Sequence, residues 1–146
     1  MIRRAEPQDA DDIGETFSRS IGMLTFLPPL HTDEEHRRFM TEMVPIDHEM
    51  WVAEEDGRVV GLAAVGAETL GHLYVHPDYQ SRGIGSQLLE KTKALRPAGF
   101  TLWTFPHNAG ACRFYERHGM TVSARGDGSG NEEGLPDVQY EWRPTP

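Results

Sequence analysis

Leu73-Tyr74-Val75-His76-Pro77-Asp78-Tyr79-Gln80-Ser81-Arg82-Gly83-Ile84-Gly85-Ser86 decides how this chain is read. An apolar strand ends at Val75, Pro77 breaks it, and a helix opens among glycines. Helix N-termini present unpaired N–H groups and partial positive charge, so such a turn suits an anion, and a diphosphate fits it. Gly83 and Gly85 let the backbone come close to phosphate oxygens, and Ser86 adds a hydroxyl donor. The two commoner phosphate loops fail. A dinucleotide fingerprint needs glycine where Leu88 stands, and a Walker loop needs Gly-Lys-Ser or Gly-Lys-Thr, which is absent.

Outward from this stretch, elements alternate. Ile2–Ala5 reads as a short strand and Asp9–Ile21 as a helix. Leu27-Pro28-Pro29-Leu30 interrupts, and the segment Leu24–Leu30 reads equally as an acceptor-pocket lining or a linker. Thr32-Asp33-Glu34-Glu35 has the form of a capping box, predicting a helix over Glu34–Met43 that Pro45 ends. Met50–Glu54 and Arg58–Val65 form a hairpin across Asp56-Gly57, the second strand apolar enough for burial on both faces. Then come a strand Thr69–Val75, a helix Gly83–Leu95, a strand Phe100–Thr104, and a helix Ala109–His118 with Gly119 as its cap. Two strands, Thr121–Ala124 and Val138–Trp142, close the chain. Gly126–Gly134 between them reads as a mobile loop, either a solvated linker or a flap whose Glu132 and Glu133 attract a cation.

This order predicts a mixed sheet covered by helices, as one domain spanning residues 1–146. The net charge of −9 excludes a non-specific nucleic-acid binder and suits a cationic substrate, though an acidic surface also simply confers solubility. No apolar run follows Arg3-Arg4, and none approaches the roughly 18 residues a membrane span needs. Cys112 is the only cysteine, and His31, His36 and His48 lack metal-ligand spacing, so no metal is expected. The expected compartment is the cytoplasm.

The fourteen-residue run resembles the acetyl-CoA signature of the GNAT N-acetyltransferase superfamily, (Gln/Arg)-x-x-Gly-x-(Gly/Ala), here Gln80 to Gly85. Asn108-Ala109-Gly110-Ala111-Cys112-Arg113-Phe114-Tyr115-Glu116-Arg117-His118-Gly119-Met120 is similar to a later helix of that family, with Met120 in place of the usual Phe. The resemblance implies an α/β acyl-CoA N-acyltransferase fold: a mostly antiparallel mixed sheet, helices on both faces, and a splayed pair of central parallel strands. It implies that acetyl-CoA is a cosubstrate, that a primary amine is the acceptor, and that homodimers are an option. The pantetheine arm would pair with the backbone of Leu73 and Val75, the Val75 N–H facing the thioester. Gln80 and Ser81 lead into main-chain donors of Arg82, Gly83, Ile84, Gly85 and Ser86 that would hold the diphosphate. The Arg82 side chain reads either as a phosphate partner, where the turn places it, or as the partner of a surface carboxylate. Asn108 would contact the arm. The other reading on the same fold is a non-catalytic acyl-CoA sensor.

Chemistry adds the remaining roles. An alkylammonium with a pKa near 10 must lose its proton before attack, and the leaving thiolate must gain one. Tyr115 is the candidate acid, against a packing role on the helix's apolar face. Glu68 and His72 are the candidate bases, with Glu68 also readable as an exposed turn carboxylate. Strand alternation sets His72 on the face opposite Leu73 and Val75 unless a bulge intervenes, and it groups Thr69 and Gly71 with Leu73.

Overall fold

The computed structural model describes residues 1–144. Strands β1 (Ile2–Arg4), β2 (Glu49–Glu55), β3 (Arg58–Val65) and β4 (Leu70–Val75) form one antiparallel sheet in that order. Strands β5 (Phe100–Thr104), β7 (Asp137–Trp142) and β6 (Thr121–Gly126) form a second, with β7 central. Helices α1 (Ala10–Gly22) and α2 (Asp33–Arg38) precede β2, α3 (Ile84–Leu95) links β4 to β5, and α4 (Ala109–Arg117) links β5 to β6. The sheets meet at one parallel bridge, Thr69 with Thr101, where the Thr101 N–H donates to the Glu68 carbonyl at 3.0 Å. Beyond that bridge β4 and β5 pair with other strands, so a cleft opens between them. This is the splayed parallel pair that the family resemblance implied.

Two cores lie on either side of β3. Ile13 and Phe17 of α1, with Met40 and Val44, pack on Val59, Leu62 and Ala64. Leu88 and Leu89 of α3, both fully buried, pack on Val60, Ala63 and Val65 and reach Phe100 and Tyr140 of the second sheet. Each such leucine contributes about 1.5–3 kcal/mol by leaving water. A bulge in the β2–β3 ladder, where Ala53 pairs Gly61 and Glu54 pairs Val59, leaves Val60 unpaired. Val60 and Gly61 therefore both face α3, and a Cβ on Gly61 would lie 3.0 Å from Ile84 and 3.1 Å from Leu88. The hairpin turn takes Asp56 and Gly57 at φ 53° and 76°, as a two-residue turn of this hand requires.

Most boundaries agree with expectation, and two features differ. The Thr32–Glu35 capping box forms, with reciprocal bonds of 2.8 and 3.1 Å, but the α-helix it starts stops at Arg38. Phe39–Met43 continue as a wider π turn ahead of Pro45, which supplies no N–H to the ladder. Met40 then points into the core, while Phe39 stays 43% exposed at the cleft mouth. The second difference is a bulge at Gly71: Ala64 pairs His72 but Val65 pairs Leu70. It turns Leu70, rather than Thr69 or Gly71, to the α3 side with Leu73.

Candidate active site

A cavity of about 1340 Å³ runs through the β4–β5 cleft, from the turn before α3 to the space between α1, α2 and the β6–β7 loop. At its first end Ser81 and Gly83 take left-handed backbone, φ 64° and 81°, and Gly83 caps α3. This bends the chain so that the first N–H groups of α3 meet the cavity, which Ser81, Gly83, Ile84, Gly85 and Ser86 line. A Cβ at Gly83 would touch nothing in the protein within 4 Å, so the glycine serves backbone conformation.

Along the cleft, strand register fixes which backbone groups face inward. The His76 N–H donates to Val60 O at 2.8 Å, which makes Gly61 opposite Val75 a non-hydrogen-bonded pair, and likewise Ala63 opposite Leu73. The N–H and C=O of Leu73 and Val75 thus point away from β3, into the cleft. The Val75 carbonyl accepts from Ser20 Oγ at 3.1 Å and Gln80 Nε2 at 3.3 Å, which fixes the peptide plane where the strand ends.

Other predicted residues have more specific places. Asn108 accepts from the Ala111 N–H at 3.2 Å as the cap of α4, its side chain on the cavity wall. Ser86 Oγ lies 3.0 Å from His118 Nε2, so its hydroxyl already has a partner within the protein. The Arg82 guanidinium lies 3.6 Å from Glu55 and over the Tyr79 ring, and Arg82 does not line the cavity. Of the two partners read for this side chain, phosphate or a surface carboxylate, the structure shows the carboxylate. Arg117, which the sequence reading missed, is the Lys or Arg that lines the cavity among the described residues.

Tyr115 lies at the junction of cavity and core, 8% exposed. Burial first, then Tyr74 and Cys112, push its phenol well above the ordinary tyrosine value, so it stays protonated. Tyr74 is pushed up to about 12 by burial and the Glu133 carboxylate.

Beyond Tyr74 the wall is aromatic. The Phe17 ring sits 5.1 Å from Tyr74, 5.7 Å from His36 and 6.1 Å from His72. His72 stays on the face opposite Leu73, as alternation predicted, yet lines the cavity because the cavity wraps around the strand. Burial, then the nearby His48, lower it to about 4. Glu68 does not line the cavity and is exposed at the start of the cleft. Leu24, Leu27, Pro28, Pro29 and Leu30 do line it, which resolves the two readings of that segment in favour of a wall. His31, which lacks metal-ligand spacing in the sequence, pairs with Glu132 at 2.9 Å. No spacing rule connects residues 101 apart in the chain.

The family model for the acetyltransferase (GNAT) domain matches residues 47–121. Peptidyl-lysine N-acetyltransferase YjaB of Salmonella typhimurium is 27% identical over 128 residues, 86% of each chain. The solution structure of apo-form YjaB from Escherichia coli superposes with a TM-score of 0.81 at 22% identity, covering 97% of this chain and 95% of that one. The structure of yncA, a putative acetyltransferase from Salmonella typhimurium with its cofactor acetyl-CoA, gives 0.74 at 23% identity, covering 98% and 92%. With just over half of its length inside the family match, the chain belongs to the GNAT acetyltransferase family.

Proposed function

We propose that this single-domain enzyme binds acetyl-CoA along the β4–β5 cleft and transfers the acetyl group directly to a primary amine bound between α1, α2 and the β6–β7 loop. One observation carries this reading: the cleft-facing backbone of Leu73 and Val75 continues into the N–H groups that open α3. The first supplies an edge to which the pantetheine amides can add as a strand, and the second supplies a diphosphate site. Main-chain donors from Arg82 to Ser86 hold the diphosphate, Gln80 and Ser81 shape the turn, and Asn108 faces the arm while capping α4.

The acetyl group supplies the electrophile, and the residues stabilise what forms around it. Attack of a neutral amine puts negative charge on the thioester oxygen, and the fixed Val75 N–H stabilises it. Tyr115, protonated throughout, donates toward the departing sulfur. His72, lowered to about 4, does not serve as the base. Taking a proton from an ammonium near pKa 10 would be uphill by on the order of 8 kcal/mol. Glu68 does not line the cavity, and the amine's proton leaves through water in the open acceptor end. YjaB of Salmonella typhimurium bears the name of a peptidyl-lysine N-acetyltransferase, and a lysyl side chain is one acceptor that fits here. We place the reaction in the cytoplasm. Among the described residues no helix is long and apolar enough to cross a membrane.

Thermal unfolding with acetyl-CoA, CoA and NAD tests the reading. Acetyl-CoA at about 100 times its Kd should add roughly 2.7 kcal/mol, and NAD nothing. Thiol release against an amine panel then separates an enzyme from a sensor. No shift with either coenzyme, or a shift without amine-dependent thiol release, refutes it.

A further inference from the structure

The acceptor end of the cavity has a charge pattern of its own. Three carboxylates line the cavity: Glu35, Glu132 and Glu133. Two are engaged. Glu35 accepts from the Thr32 N–H at 2.8 Å as part of the α2 cap, and Glu132 pairs with His31 at 2.9 Å. Among the described residues Glu133 makes no hydrogen bond and no ion pair, yet it lines the cavity half-buried and close enough to Tyr74 to oppose its ionisation. Tyr74 in turn opposes the ionisation of Tyr115. Glu133 is therefore the free negative charge on the path from the mouth to the reaction centre. The rest of that path is rings and apolar side chains: Phe17, Phe39, His72, Tyr74 and, from the inter-helix segment, Leu27 and Leu30.

We propose that Glu133 receives the acceptor's ammonium group, and that the chamber selects primary amines on an apolar or aromatic skeleton with no carboxylate beside the nitrogen. The inference deepens, and rests on, the amine transfer proposed above. A cationic ligand gives this carboxylate the partner it lacks within the protein, as a charge-assisted hydrogen bond. The same charge repels an acceptor that brings its own carboxylate. Stacked and edge-on rings accommodate methylene or aryl groups behind the nitrogen, and cation–π attraction adds to the pull on the charge. The His31–Glu132 pair holds the loop that carries Glu133 against the inter-helix segment, so position is set by one residue and recognition by the next. Two sources share this chemistry: a free aralkyl or alkyl amine, and a lysyl side chain whose carboxylate is tied up in peptide bonds.

The test uses phenethylamine, phenylalanine and Nα-acetyl-lysine amide as acceptors at saturating acetyl-CoA, with wild type, Glu133→Gln and Glu133→Lys. Wild type should prefer phenethylamine over phenylalanine in kcat/KM by at least about tenfold, the size expected of one charge-assisted contact. Glu133→Gln should raise the KM for phenethylamine about tenfold, leave the KM for acetyl-CoA unchanged, and bring the ratio toward one. Glu133→Lys should favour phenylalanine. Turnover of Nα-acetyl-lysine amide but not phenethylamine supports the class and identifies the peptidyl source. The same ratio in all three proteins overturns the proposal, as does a wild type that binds acetyl-CoA but turns over neither amine lacking a free carboxylate. A wild type that fails to bind acetyl-CoA refutes instead the transfer reaction itself.

Discussion

His31 Nε2 lies 2.9 Å from Glu132 Oε1, joining the segment between α1 and α2 to the loop between β6 and β7 across the mouth of the cavity. The carboxylate partner raises His31 above its ordinary 6.5. A raised histidine stabilises fully below the unfolded value and loses that contribution as pH climbs through the folded one. The clasp should thus be intact near pH 6 and open well above neutrality. Backbone ¹⁵N relaxation of residues 128–134 should show increasing fast motion between about pH 6 and about pH 9 in wild type. His31→Asn should show that motion at both. A loop equally ordered at both pH values in wild type and variant removes the clasp.

Tyr115 is both packing and site. Tyr115 packs in the α3 core and also lines the cavity, so Tyr115→Phe, which removes only the hydroxyl, separates the roles. If the phenol donates to the leaving sulfur, kcat should fall by about 10²-fold or more. CoA affinity by calorimetry should stay within about threefold of wild type, because the ring remains. Matching losses in kcat and CoA affinity would assign the hydroxyl to binding or packing.

Arg3 and Asp9 form a structural ion pair away from the site. Arg3 donates twice to Asp9, at 2.8 and 2.9 Å, and the Glu6 N–H adds a third bond to a carboxylate only 7% exposed. Arg3 depresses Asp9, so this contribution is present above the unfolded carboxylate value and is lost as pH falls through the folded one. Arg3→Met strands the carboxylate and should cost about 3 kcal/mol near pH 7 by urea unfolding. The deficit should shrink below about pH 4, where wild type loses the contribution as well. A deficit that holds constant down to about pH 2 would mean that the arginine acts by packing.

What could be read from sequence was what short-range rules govern. The turn at Gln80–Gly85, the Asp56-Gly57 hairpin and the Thr32–Glu35 cap each depend on a few adjacent residues, and each formed where expected. The face of His72 followed from strand alternation alone. The half of the cavity proposed for the cofactor was legible because one strand, one turn and one helix build it. The acceptor half was legible only as open alternatives, the Leu24–Leu30 wall and the Glu132–Glu133 flap. His31, Phe39 and Glu133 come from three separate segments, and Phe39 reaches the mouth only because the helix widens ahead of Pro45. Arg82 had two readings, and Glu55 and Tyr79, brought near by the fold, offer its guanidinium a carboxylate and a ring.

Gly61 sets how closely α3, and so the turn proposed to hold the diphosphate, approaches the sheet. The β3 bulge aims both Val60 and Gly61 at α3, and the absent side chain at Gly61 lets Ile84 and Leu88 settle within about 3 Å of where its Cβ would stand. Ile84 is the first residue of α3, only one beyond Gly83. A larger side chain at 61 must push on the helix end that carries the proposed anion site. Gly61→Val should therefore cost about 1–3 kcal/mol by urea unfolding, the usual range for overpacking. It should also weaken CoA binding by more than the Tyr115→Phe change does, because the displaced amides no longer converge on one diphosphate. Gly61→Ala should show both effects at smaller size, since Ile84 and Leu88 can give by a few tenths of an ångström. Lower stability with unchanged CoA affinity in both variants would show that the turn is positioned by its own backbone, Ser81 and Gly83, and not by the packing beneath it.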